Sequence, residues 1–545
     1  MNGPVTATTH RTTRTAGPLP AAGRPGFGWL LLSEWTKLRS VSRWTVALLT
    51  APVLIILVGL LSAASSQAGN PDSTVSGPDG TWVQDRFHFV HRPLTGDGSV
   101  TTRVASTRLE LSVPQQDGGD GRTQDVERTV WSKAGLMVKD GLRPGSRYAA
   151  VMVTPGHGVR LQSNFTTDIA GPAVGAPTWL RLTRAGSTIS AFQSSDGVSW
   201  TPAGTVTVPD LPQTVEVGPF VASPAGILMG ERQFGTVQFE RYPTTTRAVF
   251  ERPTLEPARA TGAASGEPQD GWRDDEVNDE AGQSGPPLPA GARPDKTPQA
   301  GPPAAEWAGD RLTLVGVGDI APRTKSEDVI KLGLTGAYAG LMALVAVAVL
   351  FVTTEYRRGM LRTTFTASPR RGRVLVAKAM VVGAVTFVIG LVAGVAALLI
   401  TLPITRDNGF LPPVYPDWSL IDPTVLRAIV GTAGVLAAIA VFSLALGTVL
   451  RRAAGAVAIV IVLIILPQLL AGALPTAAGQ WLMRLTPPAG FSVQQTVPHY
   501  EQVPRICIPE NGCVYDQPWA GFAVVCGYAL VTMAVALWLL RRRDA

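Results

Sequence analysis

Six runs of apolar residues, each long enough to cross a bilayer at about 1.5 Å per helical residue, are spread unevenly along the chain. The first covers residues 44–63, and the others follow much later at 333–353, 379–402, 425–449, 454–473 and 518–540. Between the first and second runs the pattern changes period. Trp82–Leu111 and Val130–Phe239 alternate apolar and polar positions in short stretches broken by Gly, Pro, Asn and Asp, as in R-Y-A-A-V-M-V-T-P-G-H-G-V-R-L-Q. Such alternation predicts an antiparallel β-sandwich over 80–322. Ser195-Asp196-Gly197 supplies a hairpin turn between Phe192 and Trp200. The Pro-, Gly-, Ala- and acid-rich stretch 243–308 reads as a disordered linker within that domain. R-L-T-L-V-G-V-G-D-I-A-P after it predicts one more strand returning to the sandwich.

The polar flanks of the apolar runs predict their direction. Thr353–Lys378 lies between two spans and holds seven Arg or Lys residues against one acid, Glu355. Positive side chains beside a span resist translocation, which places this loop on the cytoplasmic side. The loop at Arg451-Arg452 and the tail Arg541-Arg542-Arg543 then also lie inside, with the N-terminus. Residues 64–330, 403–424 and 474–517 lie outside. Residues 1–43 divide into a disordered tail and an amphipathic segment in the inner interface, with Leu31, Trp35 and Leu38 on one face and Lys37 and Arg43 turned elsewhere. A plain helical extension of the first span is the alternative for that segment. S-A-A-S-S-Q-A after the first run resembles a signal-peptidase site, but some forty preceding residues favour an uncleaved span.

The chain has 545 residues, of which 16% are charged, with a net charge of +7, and its mean hydropathy is +0.19. The basic residues cluster at span ends, so the charge reports topology and not a nucleic-acid partner. Cys526 falls inside the last run. Cys507 and Cys513 flank I-P-E-N-G at a spacing that a turn could close into a disulfide in an oxidising compartment. No second Cys or His pair lies nearby to suggest zinc, and His88, His91 and His157 are scattered. No G-x-x-x-x-G-K-[ST] loop occurs, and no nucleophile elbow or zinc-protease helix. The sequence therefore predicts a non-enzyme whose energy, if it does work, comes from another subunit. Gly336/Gly340 and Gly390/Gly394 are small residues four apart that let helices approach closely.

Five stretches in order, L-T-G-D-G-S-V-T-T-R-V (94–104), W-S-K-A-G-L-M-V-K-D (131–140), P-T-W-L-R-L-T-R-A-G (177–186), S-S-D-G-V-S-W (194–200) and V-E-V-G-P-F-V (215–221), resemble a bacterial module of the concanavalin-like jelly-roll class. That resemblance implies either a glycan-binding face or a scaffold. It implies no glycan cleavage here, because paired carboxylates on one strand are missing. Trp131, Trp179 and Trp200 read as packing residues.

S-E-W-T-K-L-R-S (33–40), T-E-Y-R-R-G-M-L-R-T-T (354–364) and A-S-P-R-R-G-R-V-L-V-A-K (367–378) resemble the permease subunit of an ABC transporter of the second exporter class. The large insert between the first two spans departs from that pattern. The resemblance implies a multi-pass protein of a bacterial cytoplasmic membrane, a second permease half, and a partner ATPase that carries ATP and Mg. It also implies that 353–378 docks on that ATPase. Glu355, Tyr356, Arg357 and Arg358 begin the docking loop, Gly359 would let it bend, and Arg362 adds charge. Pro369 would start a new helix, and Arg370, Arg371, Arg373 and Lys378 could meet acidic groups or lipid phosphates. The interfacial helix contributes Leu31, Glu34, Trp35, Lys37, Leu38 and Arg39. The same arginines would also serve simply to anchor spans at the inner surface, and sequence leaves both readings open. A membrane-anchored carbohydrate-binding or sensor protein is the competing function.

Overall fold

A computed structural model describes residues 26–68, 74–111, 131–231, 237–242, 244–258, 271–278, 304–325, 327–357, 371–471, 473–503 and 517–542. The helices are α1 (Phe27–Ser40), α2 (Ser42–Ser65), α3 (Val329–Leu334), α4 (Ala337–Arg357), α5 (Arg371–Asp407), α6 (Pro423–Leu450), α7 (Ala453–Ala471), α8 (Thr476–Leu485) and α9 (Pro518–Arg542). A 3-10 helix, Pro487–Gln494, separates the last two. Six of these segments are long and apolar enough to cross a membrane: α2, α3–α4 together, α5, α6, α7 and α9. α7 passes through Pro467 to Ala471 without breaking.

Small residues set the closest helix crossing. A Cβ added at Gly336 would stand 1.9 Å from the Ile55 carbonyl oxygen of α2, and one at Gly59 would stand 2.4 Å from that of Gly333. The α3–α4 chain breaks its helix at Thr335–Gly336, where α2 presses against it. Gly390 packs on Ala433 and Leu436 of α6, while Gly394 has ordinary clearance from Ile429.

The insert is two antiparallel seven-stranded sheets. One runs Thr201–Thr207, Thr188–Ser194, Thr178–Ala185, Gly98–Leu111, Thr244–Pro257, Arg311–Gly316, Ala304–Ala308. The other runs Arg273–Val277, Phe87–Thr95, Thr214–Ala222, Lys133–Lys139, Tyr148–Thr154, Gly158–Ser163, Thr167–Ala170. Their facing sides share one core that includes Val104, Leu136, Val151, Leu180, Phe250 and Leu314. The stretch expected to be a linker is in part sheet. Thr244–Pro257 is a central strand paired with Gly98–Leu111 and Arg311–Gly316, and two edge strands follow it. Ala248 and Phe250 point into the core while Arg247 and Arg252 point out. Its Pro, Glu and Arg content hides that alternation in a composition average. Residues 259–270 and 279–303 lie outside the described residues.

The second sheet is buried on both faces. On the face turned away from the core, Phe87, Phe89, Met137, Tyr148, Met152 and Phe220 form a second cluster, closed by Val83, Phe165 and Ile320. The cover is the chain's own entry and exit: Val83–Asp85 pairs with Ile320–Pro322, Val83 opposite Pro322 and Asp85 opposite Ile320. Buried lysines fasten this ribbon. Lys139 Nζ donates to Asp85 Oδ2 at 2.8 Å, and Lys133 donates to Asp319 and to the Ile320 carbonyl. Neither ammonium could remain in so apolar a site without its carboxylate. The loop after the 3-10 helix adds two contacts, Arg160 to Glu501 and Gln502 Nε2 to the Phe165 carbonyl.

Where the exit ribbon rejoins the bundle, Asp328 caps α3 by accepting from the Ile330 and Lys331 amides. It also accepts from the Thr496 amide at 2.5 Å and the Thr496 hydroxyl at 2.8 Å. One carboxylate thus ties the start of α3 to the chain just past the 3-10 helix. Asp328→Ala is expected to cost about 2–3 kcal/mol, a lost cap together with charge-assisted bonds. Unfolding in mixed detergent–SDS micelles measures it, with Asp328→Asn expected to recover part of the loss.

Candidate functional site

At the end of the bundle opposite the sandwich, three helices meet around buried charge. α1 forms because Phe27–Ser40 has no proline and one early glycine, and its last turn carries Lys37 and Arg39, which suit the helix C-terminal dipole. Val41, extended, ends it. Leu38 is buried and Leu31 partly so, but Trp35 is 43% exposed together with Trp29 and Leu32. The residue that joins Leu38 on the protein-facing side is Glu34, only 1% exposed. The expected apolar face is therefore two stripes: one packs on protein around a carboxylate, and the other is open.

Glu355 in the last turn of α4 and Lys378 in the third turn of α5 converge on Glu34. Lys378 Nζ donates to Glu34 Oε2 at 2.5 Å and to Glu355 Oε1 at 2.7 Å, and stands 4.5 Å from the centre of the Phe351 ring. Lys37 Nζ donates to Glu34 Oε1 at 2.7 Å and reaches Glu355 Oε1 at 3.5 Å. Two carboxylates thus face two ammonium groups and the local charge balances. Burial works against the charge of Lys37, yet hydrogen bonds and attraction from Glu34 and Glu355 hold its pKa above the ordinary lysine value. Among the described residues, Glu355 Oε2 has no hydrogen-bond partner. It is a buried acceptor three residues before the undescribed stretch 358–370.

Beside the cluster, the Arg451 guanidinium lies 5.2 Å from the centre of the Tyr356 ring. Arg451 has a left-handed backbone, φ 56°, and caps α6 through its N–H to the Gly447 carbonyl. The α6–α7 corner is thereby tied to the last turn of α4.

The sequence-predicted site residues do not all come together. Glu34, Lys37, Glu355 and Lys378 come together, Tyr356 lies alongside, and Arg39 and Arg373 are exposed. Arg357 ends α4 and Arg371 begins α5. Arg358, Gly359, Arg362, Pro369 and Arg370 lie outside the described residues, as do Cys507 and Cys513. Sequence reading assigned Glu34 and Lys37 to one element and Glu355 and Lys378 to another, and nothing in it joined them. It passed over Phe351 and Asp328, and used Arg451 only to orient the spans. An acid inside an otherwise apolar stripe, Leu31–Glu34–Leu38, was the signal for Glu34.

The cluster contains no nucleophile–base pair, and among the described residues no group of three His, Cys, Asp or Glu is placed to hold a metal ion. In the sandwich, His88 and His91 are buried against Asp274, Asp275 and Glu216, and Trp131 stacks on His157 at 3.9 Å. What the helix-end cluster can do is mechanical. It locks α1, α4 and α5 into one unit through charges that cannot separate without being stranded in an apolar setting.

No family model and no curated protein matches the sequence. Among solved structures, the crystal structure of a functionally unknown protein from Saccharomyces cerevisiae aligns with 36% of this chain and 99% of its own, at 15% identity and a TM-score of 0.17. That score carries no argument about fold or activity.

Proposed function

We propose that this chain is the membrane-spanning subunit of an ATP-driven exporter, with a separate ATPase bound beneath residues 353–378 and a second permease half beside it. The observation that carries the reading is the buried cluster of Glu34, Lys37, Glu355 and Lys378. It fastens both helices that flank the basic loop to the interfacial helix α1. A push on that loop therefore moves α1, α4 and α5 together, which is what a subunit without its own nucleotide site requires. In this reading α4, the one crossing between them, separates the loop and the sandwich across the bilayer. The excess of Arg and Lys in the loop favours the cytoplasmic side for it and the outside for the sandwich.

The covered sheet favours this reading over a glycan-binding anchor. The chain's own Val83–Asp85 and Ile320–Pro322 occupy the face of the second sheet turned away from the core, so the sandwich acts as a fitted part of the transporter's outer side.

Two measurements test the proposal. With Cys507, Cys513 and Cys526 replaced by serine, an impermeant thiol reagent on intact cells is expected to label Val198→Cys and leave Thr366→Cys untouched; the reverse pattern overturns the topology. Co-purification with the proposed partner ATPase is expected to drop at least tenfold in an Arg370/Arg371/Arg373→Ala variant. Undiminished association and transport would remove the docking role.

A further inference from the structure

Arg273–Val277 is an edge strand of the second sheet, paired on one side with Phe87–Thr95. It belongs to the stretch expected to be a linker, and R-D-D-E-V holds three carboxylates against one cation. Val277 is its one buried residue, so apolar burial contributes little to keeping it in place. Side chains of the neighbouring strand hold it instead. His88 and His91, 3% and 1% exposed, each reach an acid of the edge strand. His91 Nδ1 lies 2.6 Å from Glu216 Oε2, and its Nε2 lies 2.9 Å from Asp275 Oδ2. His88 Nδ1 lies 2.7 Å from the Val315 carbonyl oxygen, and its Nε2 meets Asp274 Oδ1.

All four partners are oxygen acceptors. Asp274 and Asp275 are about half open to water and enter as carboxylates. A neutral imidazole has one N–H and one lone pair, so either tautomer would turn a lone pair onto an oxygen. An imidazolium donates from both nitrogens and satisfies every contact. We propose that Arg273–Val277 is held on the sheet by doubly protonated His88 and His91, and is released when pH rises and the rings lose that second proton. Release opens the backbone edge of Phe87–Thr95.

The surrounding charge favours the protonated rings. Around His88 stand Asp274 and Glu276 of the edge strand, with Arg86 bonded to Glu276. Thr214–Ala222 sets the apolar Val221 opposite His88, and the other sheet presents the Val315 carbonyl. Around His91 stand Asp275 and Glu216, with Arg273 opposite it in register and Phe89 stacked on its ring at 4.9 Å. Lys139, across from Glu216, is bonded to Asp85. With both rings neutral, four carboxylates would be left beside Arg86 and Arg273, and three of the four belong to the edge strand itself. Burial works against the charge on His88, yet its bonds to Asp274 and the Val315 carbonyl and the attraction of Asp274 and Glu276 raise its pKa above the ordinary histidine value. A raised pKa means that the charged ring fastens the strand. The fastening is complete below about pH 6.5, where a free histidine is also charged, and is lost as pH rises through the higher value of the attached state.

The fastening lies within the sandwich and is independent of the exporter reading. The full chain in detergent is followed by hydrogen–deuterium exchange and mass spectrometry from about pH 6 to about pH 9, each rate divided by the unstructured-chain rate at the same pH. Protection of residues 273–277 is expected to fall at least tenfold across that range, while Thr201–Thr207, an edge strand of the other sheet, changes less than twofold. A His88→Gln/His91→Gln variant is expected to show low protection of 273–277 at every pH. A smaller fall, an equal fall in both edge strands, or a fall that survives in the variant overturns the proposal. Should the double variant fail to fold, Asp274→Asn decides. Its amide can donate to a neutral His88 ring, so the midpoint of the fall is expected to drop by at least half a pH unit, and an unmoved midpoint overturns the proposal.

Discussion

Lys378→Met is expected to destabilise the helical part by about 3–5 kcal/mol, because it leaves two buried carboxylates facing each other without the cation between them. Glu34 and Glu355 are 1% and 4% exposed, so neither recovers hydration in place. Lys37 can compensate only in part, since it lies 3.5 Å from Glu355 and is itself 38% exposed. Glu34→Gln/Glu355→Gln/Lys378→Met removes the charges together and is expected to restore most of the stability. A buried ion pair is dispensable as a unit, whereas half of one is costly. Under the proposed function, the triple variant is expected to fail to link ATP hydrolysis on the partner subunit to transport, because the three helices lose the contact that obliges them to move together. Micellar unfolding and ATP-dependent transport in liposomes separate the two effects. A fully active triple variant would refute the coupling role while leaving the stability argument intact.

Gly336→Ala is the second large effect, expected at about 3 kcal/mol. The added Cβ would lie 1.9 Å from the Ile55 oxygen and 2.7 Å from its carbonyl carbon, so backbone on one side must retreat. No rotamer relieves a clash between a Cβ and a neighbouring main chain. Gly527→Ala in α9 is the control: a Cβ there meets nothing within 4 Å, and helix propensity alone predicts a gain of about 1 kcal/mol. Unfolding midpoints that shift equally for the two variants would show that the α2 crossing is looser than described.

The spans and the sandwich were legible because each is written as a local period: long unbroken apolar runs for the helices, strict alternation for the strands. Thr244–Pro257 was missed because its partners, Gly98–Leu111 and Arg311–Gly316, lie far away in sequence, and sheet pairing there outweighs local content of Pro and Glu. The 474–517 stretch was read as an external loop. Within that stretch Pro487–Gln494 forms a 3-10 helix buried against α6 and α9, with Gly521 letting α9 come close to Ala489, which the sequence reading did not foresee. Eight residues beginning Pro-Pro are too short for either period to register. The ion cluster was hidden for a different reason: Glu34 and Lys378 are 344 positions apart, and no one-dimensional pattern ties a lone acid to a lone base at that distance. The spacing of 31, 34 and 38 could have marked Glu34 as facing protein, but not what it would meet.

The ribbon formed by Val83–Asp85 and Ile320–Pro322 has a mechanical corollary. The stretches leaving α2 and entering α3 are stitched to each other before either reaches the sandwich, and Ile55 lies against Gly336 further down. Strokes that pried the first two spans apart would have to tear the stitching and unseat Lys133 and Lys139 from their acids. Those two helices are therefore joined as a single strut that carries the sandwich as ballast, held at its far end by the ribbon and at mid-length by the Gly336–Ile55 contact.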